Sequence, residues 1–292
     1  MSAEGYARFL RQMGHKVRKA EGLFWFDAMP RVYMSFPFQH LVEPRGLDWK
    51  SILSSDGWIA RFPCEVELGR KSYRIIADQR DYDLQSLSGK ARNQTRRGLE
   101  NCHVRPMEFE ELEGSGIAIN RDTLERQGRI IPKGFDDYWR RYFKEASRSE
   151  GAHAWGAFVD GVLAAYLIAF RMEGVCHILI LRSRRALLRK YPNNALIFSY
   201  LKTMLTEERT SCVSIGFESL QAGLKSLDSF KMGMGFRKEP VGQRIFLKPW
   251  LGALIRPAAA GMLARLTALL PQNEKIAKLT GLLKWYSEQP RF

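Results

Sequence analysis

Residues 154–217 constrain the fold of this chain more than any other stretch. Two apolar runs, AWGAFV and VLAAYLIAF, flank Asp160-Gly161, and an Asp-Gly pair between apolar runs is a strong hairpin signal. A third apolar run covers 174–182. A helix is predicted to start near Asn193 and Asn194, whose side chains suit a helix N-terminus, and a strand follows at 211–217. The sequence therefore predicts three antiparallel strands, a crossover helix and a parallel strand in one mixed sheet.

The next segment, 211–248, is predicted to form a strand, a glycine turn, a short helix and a closing strand. The helix ends in the pair Phe230-Lys231, and a Met-Gly-Phe turn follows it. This order resembles the C-terminal half of the GNAT acyltransferase superfamily. Phe230-Lys231 followed by Gly235-Phe236 resembles its FemAB/peptidyltransferase-like branch. The resemblance covers 150–250 and implies an α/β fold, with a GNAT-like mixed sheet flanked by helices, that transfers a group to an amine.

The chain length of 292 residues suits two similar α/β lobes that share a core. We expect a degenerate GNAT-like N-terminal lobe, a GNAT-like transferase lobe and a C-terminal part of basic amphipathic helices, in that order at 1–106, 107–250 and 251–292. A membrane span is not predicted, because Arg256, Pro257 and Arg265 interrupt the apolar run after Pro249. The C-terminal part is either a helical hairpin docked on the second lobe or an interfacial helix on anionic lipid.

The charge balance favours anionic partners. The net charge is +15 and the pI about 9.8, which suits nucleic acid, acidic headgroups or phosphorylated cofactors, although a solvated basic surface explains it equally well. The four cysteines are widely spaced, without a CxxC pair, and the N-terminus lacks the apolar core of a signal peptide. We expect a cytoplasmic protein, with peripheral contact at the inner membrane surface as an alternative.

The sequence contains no recognised hydrolytic or metal motif. The five histidines show no metal-ligand spacing, so no metal is expected, and HExxH, Walker and GxGxxG patterns are absent. Acylation of an amine needs a held donor, a neutral amine and a stabiliser for the oxyanion, and it needs no Ser-His-Asp triad.

Three residues are candidates for catalysis. Glu218 follows the predicted strand 211–217 and could deprotonate the amine, although a capping or ion-paired surface acid is the alternative. Lys231 resembles a FemAB-like lysine that contacts substrate, and the alternative is a helix lysine whose stem covers apolar surface. Tyr191 could protonate the leaving group or simply pack on the helix that follows it.

The donor is expected to bind where the third strand leads into the crossover helix. In GNAT enzymes that use acyl-CoA, glycine-rich backbone at this place holds the diphosphate. This chain has Asn193 at the glycine position, and its basic loop could hold a diphosphate or a tRNA backbone, or be a solvated loop. The predicted donor-binding residues are Arg182, Arg184, Arg185, Arg189, Lys190, Asn193, Asn194 and Ala195.

Four more basic residues are candidates for substrate binding. Lys90 and Arg96 belong to a basic helix whose pattern resembles that of FemAB-like proteins. Arg126 and Arg129 lie in an early helical region that lines the acceptor site in GNAT-like folds. They could pair with a carboxylate or phosphate of the acceptor, or form ion pairs four residues apart within their helix.

These observations predict an N-acyltransferase that moves an acyl group from acyl-CoA to a primary amine of a small molecule or peptide. One alternative is a FemAB-like transferase that uses aminoacyl-tRNA and acts on a cell-wall or natural-product amine. The missing glycines and the basic excess favour it. Another alternative is a non-catalytic GNAT-fold module that binds nucleic acid or an anionic membrane surface.

Overall fold

The computed structural model describes residues 1–220, 225–254 and 274–290. The α-helices in these ranges are α1 (Ala3–Gln12), α2 (Trp49–Leu53), α3 (Gly89–Asn101), α4 (Leu112–Arg126), α5 (Phe135–Ser147), α6 (Pro192–Thr206), α7 (Lys225–Gly233), α8 (Pro249–Leu254) and α9 (Glu274–Glu288). The strands are β1 (Val17–Ala20), β2 (Leu23–Met29), β3 (Val32–Phe36), β4 (Ile59–Cys64), β5 (Arg70–Ala77), β6 (His103–Met107), β7 (Ala152–Val159), β8 (Val162–Met172), β9 (Val175–Ser183), β10 (Cys212–Phe217) and β11 (Arg237–Leu247).

Two compact units alternate along the chain. Unit 1 comprises Met1–Phe9, Ile75–Gly216 and the segment Lys225–Lys238. Unit 2 comprises the described residues of Leu10–Arg74, Phe217–Leu224 and Glu239–Phe292. The domains predicted with boundaries after 106 and 250 are continuous segments of the chain. The observed units each combine several separate segments, because strands that are far apart in the sequence pair with each other. In unit 2, for example, β11 pairs with β4, which lies almost two hundred residues earlier.

Unit 1 contains the strand order that the sequence predicts. The hairpin turns at Asp160-Gly161 between β7 and β8, and β9 pairs antiparallel with β8. After the crossover helix α6, β10 returns parallel to β9. Strand β6 extends the sheet beyond β7, so the order within the unit is β10-β9-β8-β7-β6.

Unit 2 repeats this order at smaller scale. Strands β1, β2 and β3 form an antiparallel meander, the short helix α2 follows, and β4 returns parallel to β3. The aromatic run 23–39, which Pro30 and Pro37 interrupt, contributes the two regular strands β2 and β3, with Pro30 in the turn between them. The repeat supports the interpretation of two related GNAT-like lobes.

Each unit packs its own core. In unit 2, Trp25, Tyr33 and Phe62 are almost fully buried on one face of the meander, and the Trp25 indole donates to Ala20 O at 3.2 Å. The other face is covered by α9 through Leu282 and Trp285. Helix α9 lies within the predicted C-terminal helical part, whereas 255–273, which the predicted hairpin needs, lies outside the described residues.

None of the helices in the described ranges combines the length and apolar character needed to cross a bilayer.

Candidate functional site

The central feature of unit 1 is a separation of two neighbouring parallel strands. Strands β9 and β10 pair over three positions only, ending at His177 and Ser214. The register between β8 and β9 then shifts so that Leu179 is an extra residue, a β-bulge. A bulge bends its strand, and bulges are frequent beside active sites. Leu179 is 37% exposed although its strand lies inside the sheet, so the bulge turns this side chain towards solvent. We call the gap between 179–183 of β9 and 215–216 of β10 the wedge.

The corresponding gap in unit 2 is filled. Strands β3 and β4 also pair over three positions, ending at Met34 and Arg61. Beyond that point, the amide of Val42 donates to Pro63 O of β4 at 2.9 Å, and the Val42 side chain is buried in the core. An added segment therefore occupies the place that stays open in unit 1, which leaves the wedge as the candidate site of this fold.

The start of α6 borders the wedge at the end of β9. Asn193 Nδ2 donates to the buried Ser183 hydroxyl at 3.2 Å, while Asn193 Oδ1 is buried and has no hydrogen-bond partner in the described residues. Tyr191 adopts a left-handed conformation, with φ of 57°, and its carbonyl accepts from the amides of Asn194 and Ala195. Since Pro192 has no N–H, the first turn offers fewer free amides than a glycine-rich diphosphate loop.

Helix α3 lies directly against this first turn of α6. A Cβ atom at Gly98 would approach Tyr191 O at 2.7 Å and the Ala195 Cβ at 3.2 Å, so only glycine allows the observed approach. Ala195 is fully buried as a consequence. The predicted donor residue Ala195 is therefore covered by α3.

A basic surface joins α3 to the 3₁₀ turn Arg185–Lys190, which we call the basic turn. The Arg97 guanidinium lies 5.0 Å from the centre of the Tyr191 ring, and Lys190 Nζ donates to Asn101 Oδ1 at 3.3 Å. Two segments that the sequence predicted separately are thus neighbours. The basic side chains on this surface, all exposed, are Lys90, Arg96, Arg97, Arg185, Arg189 and Lys190.

Arg182 and Arg184 are less available than the rest of the predicted donor loop. Both are half-buried, and they donate to backbone carbonyls, Arg182 to Leu181 O at 3.1 Å and Arg184 to Leu163 O at 3.4 Å. The Asp122 carboxylate caps the start of the basic turn by accepting from the Arg185 amide.

Lys231 is a buried cation on α7. Its side chain is 11% exposed, and its Nζ lies 3.7 Å from the Asp228 carboxylate. Burial lowers the pKa of Lys231, and Asp228 opposes that effect. A lysine ammonium in a partly dry environment interacts strongly with a nearby negative charge, which is a property of an oxyanion stabiliser.

The turn after Lys231 is fixed by unit 1 residues that lie far away in the sequence. Gly235 has φ of 85°, which favours glycine, and Tyr82 Oη donates to Met234 O at 2.8 Å. The buried Met234 sulfur accepts from Asn194 Nδ2 at 3.4 Å. The first turn of α6 and the end of α7 are therefore in direct contact, which connects predicted donor residue Asn194 with the segment that carries Lys231.

Glu218 belongs to unit 2 and already has partners there. Arg70 Nη1 donates to its carboxylate at 2.6 Å, and Ser72 Oγ donates at 2.9 Å. Its amide also donates to Tyr73 O at 2.9 Å. The alternative of an ion-paired acid describes this geometry, while the catalytic role of Glu218 stays a prediction.

Arg126 and Arg129 lie at the end of α4 and just beyond it, Arg126 exposed and Arg129 half-buried. One ion pair of this helix joins Arg121 to Asp136 of α5, at 2.7 Å. Helix α4 contacts both β9 and the basic turn, so the helix borders the predicted donor region. Acceptor binding by the two arginines stays a prediction.

Three features of the site were missed from the sequence: the bulge at Leu179, the contact at Gly98 and the unpartnered Asn193 carbonyl. The first depends on strand register and the second on helix packing, for which the sequence gives no local signal. The sequence identifies Asn193 as a turn residue. It does not indicate that the Asn193 Nδ2 group donates to Ser183 while the Oδ1 atom is left without a partner in the described residues.

Within the described ranges, no group of three or more His, Cys, Asp or Glu side chains could hold a metal ion.

Comparison with known proteins identifies the fold. No family model matches the chain, and no curated protein sequence matches it significantly. Among solved structures, FemX is similar with a TM-score of 0.60 at 11% identity, over 86% of this chain and 93% of that chain.

Two lysylphosphatidylglycerol synthetase structures are also similar. The C-terminal domain of a putative synthetase from Agrobacterium fabrum has a TM-score of 0.53 at 12% identity, over 82% of this chain and 87% of that chain. L-PGS from Bacillus licheniformis has a TM-score of 0.51 at 15% identity, over 83% and 87%. At these identities the likeness concerns the fold, and the GNAT-like, FemAB-like fold predicted from the sequence is confirmed.

Proposed function

We propose that this protein transfers an aminoacyl group from aminoacyl-tRNA to a primary amine, with the wedge of unit 1 as the reaction site. The observation that carries the proposal is the separation of β9 from β10 at the Leu179 bulge, because it opens one gap between otherwise paired strands. The gap can receive an aminoacyl group, whose α-ammonium N–H groups and carbonyl oxygen would pair with freed backbone groups of the two strands.

The basic surface supports tRNA as the donor. Exposed cations on α3 and the basic turn, among them Lys90 and Arg189, form a basic surface of the kind that attracts backbone phosphates. The partnerless Asn193 Oδ1 is an acceptor suited to the α-ammonium of an aminoacyl group. The fold shared with FemX and the lysylphosphatidylglycerol synthetases supports a FemAB-like transfer, for which the sequence resemblance implies aminoacyl-tRNA as the donor.

The chemistry requires no covalent enzyme intermediate. The amine nitrogen attacks the ester carbonyl carbon, a C–N bond forms, and the C–O bond to the ribose breaks. The electron pair leaves on the ribose oxygen, which takes the proton that the amine gives up. In this proposal Lys231 donates hydrogen bonds to the tetrahedral oxyanion, and Tyr191 supplies the proton that the leaving oxygen needs and recovers one from the amine through water.

Acyl-CoA is the second candidate donor. The wedge favours it as well, because a pantetheine arm is an extended chain with amides. Against it stand the basic turn without glycine and the first turn of α6, where Asn194 and Ala195 amides already donate to Tyr191 O. These features disfavour a diphosphate held by backbone amides.

The proposal is tested by binding of bulk charged tRNA at several salt concentrations. The double variant Lys90→Glu/Arg189→Glu should weaken binding and lower the salt slope by about 1.4–1.8, since each lost phosphate contact contributes about 0.7–0.9. The matched control Arg141→Glu/Lys144→Glu makes the same charge change on the exposed face of α5 in unit 1. It should leave the slope nearly unchanged.

The same preparations distinguish the two donors. If charged tRNA does not bind while acetyl-CoA raises the unfolding free energy by about 2.7 kcal/mol at a hundred times its Kd, acyl-CoA replaces tRNA in the proposal. If tRNA binds and the two double variants behave alike, the basic surface is not the binding site.

A further inference from the structure

A pair of exposed tryptophans marks one end of unit 2. Trp58 is 37% exposed and Trp250 is 47% exposed, and their rings meet edge to face with centroids 5.4 Å apart. Two exposed prolines and one exposed arginine surround them. We call the surface formed by Pro30, Arg31, Trp58, Pro249 and Trp250 the tryptophan patch.

The patch is held in place by the backbone of unit 2. The amide of Trp58 donates to Arg31 O at 2.8 Å, and the amide of Lys248 donates to Trp58 O at 2.9 Å. The turn between β2 and β3, the start of β4 and the end of β11 are thus joined at one place. Trp58 is therefore held at a sheet end by backbone hydrogen bonds, and Trp250 follows the end of β11 as the second residue of α8.

The polar groups of the patch suit a lipid headgroup layer. The Arg31 guanidinium lies 5.0 Å from the Trp58 ring centre and donates to Asp56 O at 3.0 Å. The Asp56 carboxylate itself forms ion pairs with Lys16 and Arg18. In the described part of the chain, Arg31 has no carboxylate partner, and the Trp58 and Trp250 indole N–H groups have no acceptor. The patch therefore combines large apolar rings with unneutralised donors.

We propose that the tryptophan patch docks unit 2 on an anionic phospholipid bilayer. Tryptophan rings favour the interface between water and hydrocarbon, and an uncompensated cation beside them adds attraction to acidic headgroups. Charge complementarity selects this occupant, since the protein carries a net charge of +15. The sequence analysis gives membrane contact of 251–292 as one of two alternatives, whereas this surface brings together residues from two distant parts of the chain. The inference does not depend on the proposed transfer reaction.

Vesicle binding tests the inference. We expect sedimentation of the full-length protein with vesicles that contain 30 mol% phosphatidylglycerol, at about 0.15 M salt, and much less with pure phosphatidylcholine. Trp58→Ala/Trp250→Ala should lower the affinity about tenfold or more, because two ring burials are lost. Arg31→Glu should weaken binding more than Arg141→Glu, which makes the same change of net charge in unit 1.

The depth of the two tryptophan rings in the bilayer is measured independently of the binding affinity. Lipids brominated on their acyl chains should quench part of the tryptophan fluorescence, and Trp58→Phe/Trp250→Phe should still bind while losing that quenching. Either equal vesicle binding by the alanine variant or quenching that survives in the phenylalanine variant would place the contact elsewhere. Absence of vesicle binding overturns the inference. Self-association abolished by the alanine substitutions, without vesicle binding, would show the patch to be an interface between copies.

Discussion

Replacing Lys231 by methionine is expected to lower the rate of amine acylation about 10²–10³-fold, the usual effect of removing one oxyanion donor. Methionine is of similar length and apolar, so it suits a side chain that is 11% exposed. The rate is measured as transfer of labelled amino acid from charged tRNA to amines. Lys144→Met makes the same substitution on an exposed position of α5 and should retain full activity.

The same variant is expected to be more stable than the parent at pH 7. Burial depresses the pKa of Lys231 below its ordinary value of 10.5, so between the depressed and the ordinary value the unfolded chain binds more protons than the folded one. The unfolding free energy of the parent therefore rises with pH across that interval. The unfolding free energy of Lys231→Met lacks this rise with pH. The difference in unfolding free energy between the variant and the parent, measured by denaturant unfolding, should therefore shrink towards pH 10.5. An inactive variant that is also less stable at pH 7 would indicate a structural role instead.

Gly98→Ala is expected to destabilise the protein by about 1–3 kcal/mol, although alanine is the better helix former by about 1 kcal/mol. The added Cβ would stand 2.7 Å from Tyr191 O, a backbone atom that cannot move without disturbing the first turn of α6. Donor binding should weaken together with stability, because Tyr191 and Asn193 shift with that turn.

The matched control lies in the same helix. A Cβ at Gly89, the first residue of α3, would meet nothing within 4 Å. Gly89→Ala should therefore leave the midpoint of thermal unfolding unchanged or raised, whereas Gly98→Ala should lower it by several degrees. Equal midpoints for the two variants would mean that α3 does not pack on α6 as closely as the structure has it.

The strand order of unit 1 could be predicted from sequence because its signals are local. Asp160-Gly161 marks the hairpin, and the apolar runs on either side are long and unbroken. The run 4–20 is less informative, because its polar, basic composition on its own predicts one helix. The structure has α1 over Ala3–Gln12 and β1 over Val17–Ala20, with Gly14 at φ of 90° between them. The residues of β1 are extended because they pair with β2, and the local composition of 4–20 does not indicate that pairing.

For the candidate site, the sequence indicates residues but not the geometry in which they meet. The resemblance directed attention to Lys231 and to the start of α6, and both lie in unit 1, connected through Met234 and Asn194. The environment of Glu218 could not be read from sequence, because its partner Arg70 stands 148 residues away. The bulge at Leu179 and the contact at Gly98 could not be predicted either, because they depend on strand register and helix packing between distant segments.

The most direct test of the account is to offer the purified protein two labelled donors, tRNA charged with a mixture of amino acids and acetyl-CoA. Both are supplied with the same pool of primary amines, and amide formation is followed for the parent and for Lys231→Met. We predict amide formation from charged tRNA that depends on the amine pool and is lost in the variant. Transfer from acetyl-CoA alone, or transfer that Lys231→Met leaves intact, would contradict the account.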